Sequence, residues 1–292
     1  MEKETKYDKN ILSLRKEYYN LLSGKEQLLT LLLETEISEQ VYNSNAIENS
    51  TLSLEETEKI LLQIDLDRYI TEREIFEAKN LARVIQYISK KAEEKSLDSE
   101  MVLFLHKMLI SNIGDDIAGR FRKDNEWVKV GSHLGADPKQ VEFLMINLFT
   151  KLNSEISKSI IKKIAQIHLD FESVHPFVDG NGRIGRVINN YLLIREGYVP
   201  INIKFIDRKE YYSAFKEYDE YKKTIIMERI VYNAIMQSYH KRLAYMKSLS
   251  IISLADYAKK RGLSHANLIN KAKRQTIPAF LERGIWKIGM SD

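Results

Sequence analysis

Helix-breaking residues are nearly missing from this chain. Its 292 residues include 12 Gly and 4 Pro, well below ordinary usage, so turn punctuation is sparse and long helices are favoured. Apolar residues recur at helical spacing over 11–22 and 28–33, with Gly24 as the break between them. Ser53 with Glu56 makes a capping-box pattern that opens residues 54–63, and Thr71 with Glu74 opens a longer helix running to about Lys90. Leu103, Leu105, His106, Leu109 and Ile110 carry the pattern onward.

One stretch departs from this texture. Gly119-Arg120-Phe121-Arg122 leads into Trp127-Val128-Lys129-Val130-Gly131, which is short, alternating and β-branched, and predicts a strand or hairpin arm. Gly131, Gly135 and Pro138 close it before a helix over 141–152. A single hairpin in a helical domain offers edge hydrogen bonds that helices lack. Helical stripes resume at Ile160, Ile161, Ile164, Ile167, His168 and Phe171, and end near Val174. They return over 183–195, where Gly197 takes the C′ position, and over the Tyr-rich 211–221, capped by Asp207 with Glu210. Residues 225–246 supply one more long helix. Trp127 and Trp286 read as packing residues, His106 and His168 as core histidines.

Composition excludes several classes of chemistry. With no Cys, disulfides, thiolate metal sites and cysteine nucleophiles are ruled out. The charged start MEKETKYDKN is not a signal peptide, and no run of roughly 18 apolar residues offers a membrane span. A cytoplasmic protein with no membrane partner is expected. The net charge of +4 is unevenly spread: residues 251–292 hold eight Lys/Arg against three Asp/Glu, a net +5, which leaves the first 250 residues at −1. Polyanion binding belongs to the tail.

The densest chemistry lies at 175–186, HPFVDGNGRIGR. Gly180-Asn181-Gly182 stands between two helical segments, so its amides open onto a helix N-terminus, where exposed N–H groups and the helix dipole favour an anion. Arg183 and Arg186, three apart, can reach one anion with guanidinium forks. Asp179 stands where it can hold Mg²⁺ against phosphates, and His175 can act as a base near neutral pH. An Asn-Gly turn alone would normally join alternating strands; here both flanks are helical. P-loop, kinase, zinc-protease and Rossmann patterns are missing.

The same twelve residues match the Fic family signature HxFx(D/E)GNGRxxR at every defined position, and the chain resembles that family from about Ser44 to Tyr221. The resemblance implies an all-α fold: a helical bundle with a single β-hairpin flap. It also implies transfer of AMP from ATP to a Ser, Thr or Tyr hydroxyl of a target protein. His175 would be the base and Asp179 the Mg²⁺ ligand. Gly180, Asn181, Gly182, Arg183, Gly185 and Arg186 would hold the phosphates. The hairpin at 128–133 resembles the family's flap, which would dock the target protein, with Val130, Gly131, Ser132 and His133 bordering the nucleotide. Tyr211 and Tyr212 fall where relatives place tyrosines beside the nucleotide, while Asp219 stands where relatives often carry Asn. Ser44-Asn45-Ala46-Ile47-Glu48-Asn49 resembles the family's inhibitory pattern (S/T)xxxE(G/N), in which Glu48 would bond Arg186 and block the γ-phosphate. A homodimer is expected from relatives of this layout.

After Ser248 the composition shifts. Residues 254–258 begin a short helix, Gly262-Leu263-Ser264 the turn, His265 to Arg274 a basic second helix, and 277–288 a small wing. This is a winged helix-turn-helix-like layout, with Lys271, Lys273 and Arg274 directed at phosphate and DNA as a candidate partner. The expected organisation is 1–95 with the inhibitory helix, 96–247 as catalytic core and 248–292 as basic module. Two alternatives to AMP transfer remain open: removal of AMP at the same site, and a nucleotide-responsive DNA-binding regulator.

Overall fold

The computed structural model describes residues 5–130, 133–154 and 159–291; Gly131 and Ser132 of the flap lie outside them, as do the side chains of Val130 and His133. The described residues form α1 Lys6–Leu21, α2 Glu26–Ile47, α3 Leu54–Leu62, α4 Glu72–Lys91, α5 Ser99–Ile110, β1 Lys129–Val130, β2 His133–Leu134, α6 Val141–Ser154, α7 Ile160–Val174, α8 Asn181–Arg195, α9 Arg208–Tyr221, α10 Ile225–Met246, β3 Ser250–Ser253, α11 Leu254–Arg261, α12 His265–Lys273, β4 Ala279–Glu282 and β5 Ile285–Met290. The fold is mostly helical, with one hairpin and a small antiparallel sheet ordered β3-β5-β4.

The helix starts follow the sequence signals. Ser53 and Glu56 make the full reciprocal capping box on α3, and the Thr71 hydroxyl caps α4 by accepting from the Glu74 amide. Asp207 differs. It belongs to a 3₁₀ turn, Phe205–Asp207, with φ −92° and ψ 7°, and its side chain makes no capping bond to α9. An N-cap needs extended backbone to turn its oxygen onto the helix amides. Trp127 also departs from expectation: the strand shrinks to Lys129–Val130, and the indole is left 52% exposed.

α7 and α8 pack together at the centre, with α10 against α7, α5 against α8, and α2 and α4 also reaching α8. Ile164, Phe171, Ile184, Ile188 and Ile235 are fully buried there. α10 has two neighbours to serve. It packs on α1, α7 and α9, and also on β3, β4 and β5. The tail is thereby tied to the bundle rather than linked loosely. Lys241 of α10 bridges Glu36 of α2 and Glu282 of β4. The Arg283 amide donates to Glu39 of α2 at 3.0 Å, and its guanidinium pairs with Glu58 of α3.

Candidate active site

The site is built on the six-residue link from α7 to α8. α7 ends on His175, which adopts a left-handed conformation (φ 51°, ψ 63°) and donates its amide to the Phe171 carbonyl at 2.9 Å. Histidine tolerates that region better than most side chains. From this turn the chain runs on to the start of α8.

Arg122 holds this turn in place. Fully buried, it donates to the carbonyls of His175 (2.7 Å), Val174 (3.1 Å), Glu126 (3.3 Å) and Ala136, so one guanidinium ties the histidine's main chain to the base of the hairpin. Phe177 is buried and stacks on His106 at 3.7 Å between ring centroids. His106 Nδ1 accepts from the Gly119 amide, which leaves Nε2–H to donate to the Asp179 carbonyl at 3.0 Å. Burial lowers His106 to about 4, so it works as a neutral brace. His168 is likewise a bonded core histidine.

Gly180 opens α8 with φ 83°, where any side chain would be strained and a Cβ would meet Ile110 at 3.1 Å. The next amides lie in the first turn of α8 and have no intrahelical acceptor. The Asn181 side chain does not join them. Its oxygen accepts from the Phe177 amide and its nitrogen donates to the Phe177 carbonyl, both at 2.8 Å, so Asn181 closes the turn and keeps one N–H of its amide unused by these bonds. Gly185 is also diverted: it faces α7, where a Cβ would lie 2.6 Å from Glu172 Oε1 and 3.0 Å from the His168 ring.

The two arginines diverge. Arg183 is buried, donates to Asp179 at 2.9 Å and lies 3.2 Å from Glu77 of α4. Its Nε makes no hydrogen bond and its Nη1 has only the ion pair with Glu77, so Nε is the donor open to an incoming anion. Asp179 is also paired with Arg73 of α4. Burial works against its ionisation, but Arg183 and Arg73 outweigh that and hold its carboxyl below the usual range. Neither Arg73 nor Glu77 was legible locally, because α4 lies about a hundred residues upstream.

Arg186 turns to α2. Its Nε donates to Ser44 Oγ at 2.9 Å, Nη2 to the Ser44 carbonyl at 2.8 Å and Nη1 to the Tyr211 hydroxyl at 3.2 Å. Glu48 Oε1 completes the set at 2.9 Å from Nη2. Glu48 caps the C-terminus of a 22-residue helix, longer than its pattern suggested, and Asn49 follows at φ 70° in the C′ position. The Asn49 side chain accepts from Arg208 at 2.6 Å. The Glu48 carboxylate lies directly against Gly182, where a Cβ would collide with it. An internal anion therefore sits at the mouth of α8. Tyr211 is buried beneath, bonded to His168 as well as Arg186, whereas Tyr212 is partly exposed and donates to the Ile47 carbonyl at 3.1 Å. Of the flap, β1 and β2 pair antiparallel, with Lys129 opposite Leu134 and Val130 opposite His133.

A helical bundle that sets a histidine at the end of one helix against a glycine-lined, arginine-bearing start of the next defines the class of Fic-type domains. Residues 96–193 match the family model described as Fic/DOC family, so this part of the chain is a Fic domain. Protein adenylyltransferase Fic of Drosophila willistoni is 32% identical over 184 residues, which are 61% of this chain and 36% of that protein. The match thus spans about a third of the curated relative's length. A Fic domain-containing signaling protein of Bacteroides thetaiotaomicron superposes with a TM-score of 0.74 at 23% identity, covering 82% of this chain and 98% of that one. A Fic family protein of Desulfovibrio desulfuricans gives 0.69 at 19% identity over 100% and 98%. These two likenesses concern the fold alone. No helix among the described residues is long and apolar enough to cross a membrane.

Proposed function

We propose that this protein transfers AMP from ATP to a hydroxyl of a target protein, and that Glu48 restrains it. The observation that carries this reading is the junction of the two helices, where His175 ends α7 and a short turn leads into the glycine-opened, arginine-bearing first turn of α8. The name of the Drosophila relative, protein adenylyltransferase, agrees with it.

In this reaction His175 takes the proton of the target hydroxyl, whose oxygen attacks the α-phosphorus of ATP. A new P–O bond forms, the bond to the β-phosphate oxygen breaks, and pyrophosphate leaves. The first-turn amides of α8 and the free Nε–H of Arg183 stabilise the charge that develops on the phosphate oxygens. The described residues contain no cluster of three potential metal ligands, which suits an ion that arrives with its nucleotide and needs one carboxylate. Asp179 would hold that Mg²⁺, which supplies charge neutralisation between phosphates. Arg73 and Arg183 must then yield part of their hold on Asp179. The hairpin β1–β2 offers an unpaired edge to the target's backbone.

The test is incubation with labelled ATP and Mg²⁺ followed by peptide mapping. Added AMP on a hydroxyl residue is expected, and His175→Ala should abolish it; label that survives His175→Ala contradicts the proposal.

One observation favours a second reading at the same site. The Glu48 carboxylate rests against Gly182, where a bound phosphodiester would lie, and from there it can orient water. Release of AMP from an AMP-modified protein, lost in Glu48→Gln, is the result this reading requires.

The tail supports a DNA-binding proposal. Lys259, Lys260, Arg261, Lys271, Lys273 and Arg274 are exposed and make no ion pair among the described residues, while Lys241, Arg283 and Lys287 are all spent on carboxylates. Salt-dependent retention on duplex DNA, lost when Lys271, Lys273 and Arg274 become Ala, is expected. Retention that ignores either change contradicts it.

A further inference from the structure

We propose that Glu172 is a positioning residue that fixes the ring of His175, accepting Nδ1–H and leaving the Nε2 lone pair directed at the reacting hydroxyl. The inference rests on the reading of His175 as the base.

Glu172 lies in the last turn of α7, three residues before His175, and is 7% exposed. Its Oε2 stands 3.5 Å from His175 Nδ1. Its other oxygen has no hydrogen-bond partner, and neither has His175 Nδ1. A buried carboxylate left in that condition is costly, so a donor must serve it.

The groups around it narrow the choice. His168 faces it from α7, but Nδ1 of that ring is engaged by Asn189 at 3.1 Å and Nε2 by Tyr211 at 2.7 Å. Arg186 faces it from α8, yet its nitrogens go to Ser44, Tyr211 and Glu48. Tyr211, from α9, is the partner of both. His175 Nδ1–H is the donor that remains, and a small ring rotation brings 3.5 Å into hydrogen-bond range.

Gly185 makes the space for this arrangement, since a Cβ there would fall 2.6 Å from Glu172 Oε1. Burial opposes the charge on Glu172, but the neighbouring imidazoles and Arg186 outweigh it and keep the carboxyl ionised below the usual range. A carboxylate of this kind selects one tautomer of its histidine, because only Nδ1–H can donate to it. The proton balance is simple. The target's proton goes to Nε2, the Nδ1 proton stays on the ring, and Glu172 remains an anion beside the imidazolium.

Two measurements separate this proposal from the function it rests on. The first uses the full chain labelled with ¹⁵N-histidine, without nucleotide. The His175 signals, identified by their loss in His175→Ala, should report Nδ1–H in wild type and shift toward Nε2–H in Glu172→Leu. An unchanged tautomer overturns the proposal whatever the enzyme does. The second measures AMP transfer in the Glu48→Gly background. Glu172→Leu should lower kcat roughly 10²-fold with KM for ATP unchanged, and Glu172→Gln should recover part of it with an altered pH–rate profile. A loss confined to thermal stability, with kcat and pH profile intact, would mark Glu172 as structural and overturn the assignment.

Discussion

Glu48 and Arg186 meet at 2.9 Å across the junction of α2 and α8, and the carboxylate that makes this contact also rests on Gly182. The first turn of a helix is an anion site by construction. Here the protein supplies its own anion to it. A phosphate group entering the site competes with Glu48 for the same guanidinium and the same space.

Arg122 is the joint between base and flap, and its removal should be severe. Arg122→Ala leaves four part-buried carbonyls without their donor and empties the space of a buried side chain, and a loss of about 3 kcal/mol in stability is expected. Arg122→Lys, with one donor centre, should recover a minor part. Urea denaturation measures both. A midpoint for Arg122→Ala close to wild type would show that the clip is dispensable.

Gly185→Ala tests the helix packing. The added methyl would press on Glu172 and His168 at 2.6 and 3.0 Å, so α7 and α8 must part. Overpacking of this kind costs about 1–3 kcal/mol. A lowered thermal midpoint is expected, whereas an unchanged one would place the α7–α8 contact elsewhere.

Acid should weaken the fold well before its carboxylates protonate. His106, His168 and His240 are buried, and burial lowers each to about 4 from an ordinary 6.5. As pH falls below about 6.5 the unfolded chain takes up these protons while the folded chain does not. Stability is therefore full above that pH and declines toward pH 4, by up to about 3 kcal/mol per histidine. Denaturation midpoints at pH 7.5 and 5.0 measure this. Equal midpoints would contradict it.

The sequence made the phosphate turn legible because its parts are local. Glycines, arginines, acid and histidine fall within twelve residues, and α7, α8 and α10 follow from apolar periodicity. What it left unread depends on distant elements. Arg183 faces Glu77 and Asp179 pairs with Arg73 because α4 packs on α8. The two bonds of Asn181 to Phe177 likewise appear only once the turn is folded. Trp127 looks like core until the strand beside it proves two residues long. Glu172 had a signal of its own, an acid next to Phe171 of the apolar stripe, three residues before the histidine it faces. Glu48 was legible only as part of a pattern. Arg186, its partner, lies 138 residues downstream, and only the folded chain brings α2 to α8.

The central claim is that Glu48 holds the site in a restrained state. Intact-mass measurement after incubation with ATP and Mg²⁺ tests it most directly, comparing wild type, Glu48→Gly, and Glu48→Gly combined with His175→Ala. The account predicts sparse AMP addition in wild type, a rise of at least about tenfold in Glu48→Gly, equivalent to about 1.4 kcal/mol at the barrier, and none in the double variant. Equal AMP addition in wild type and Glu48→Gly would contradict it.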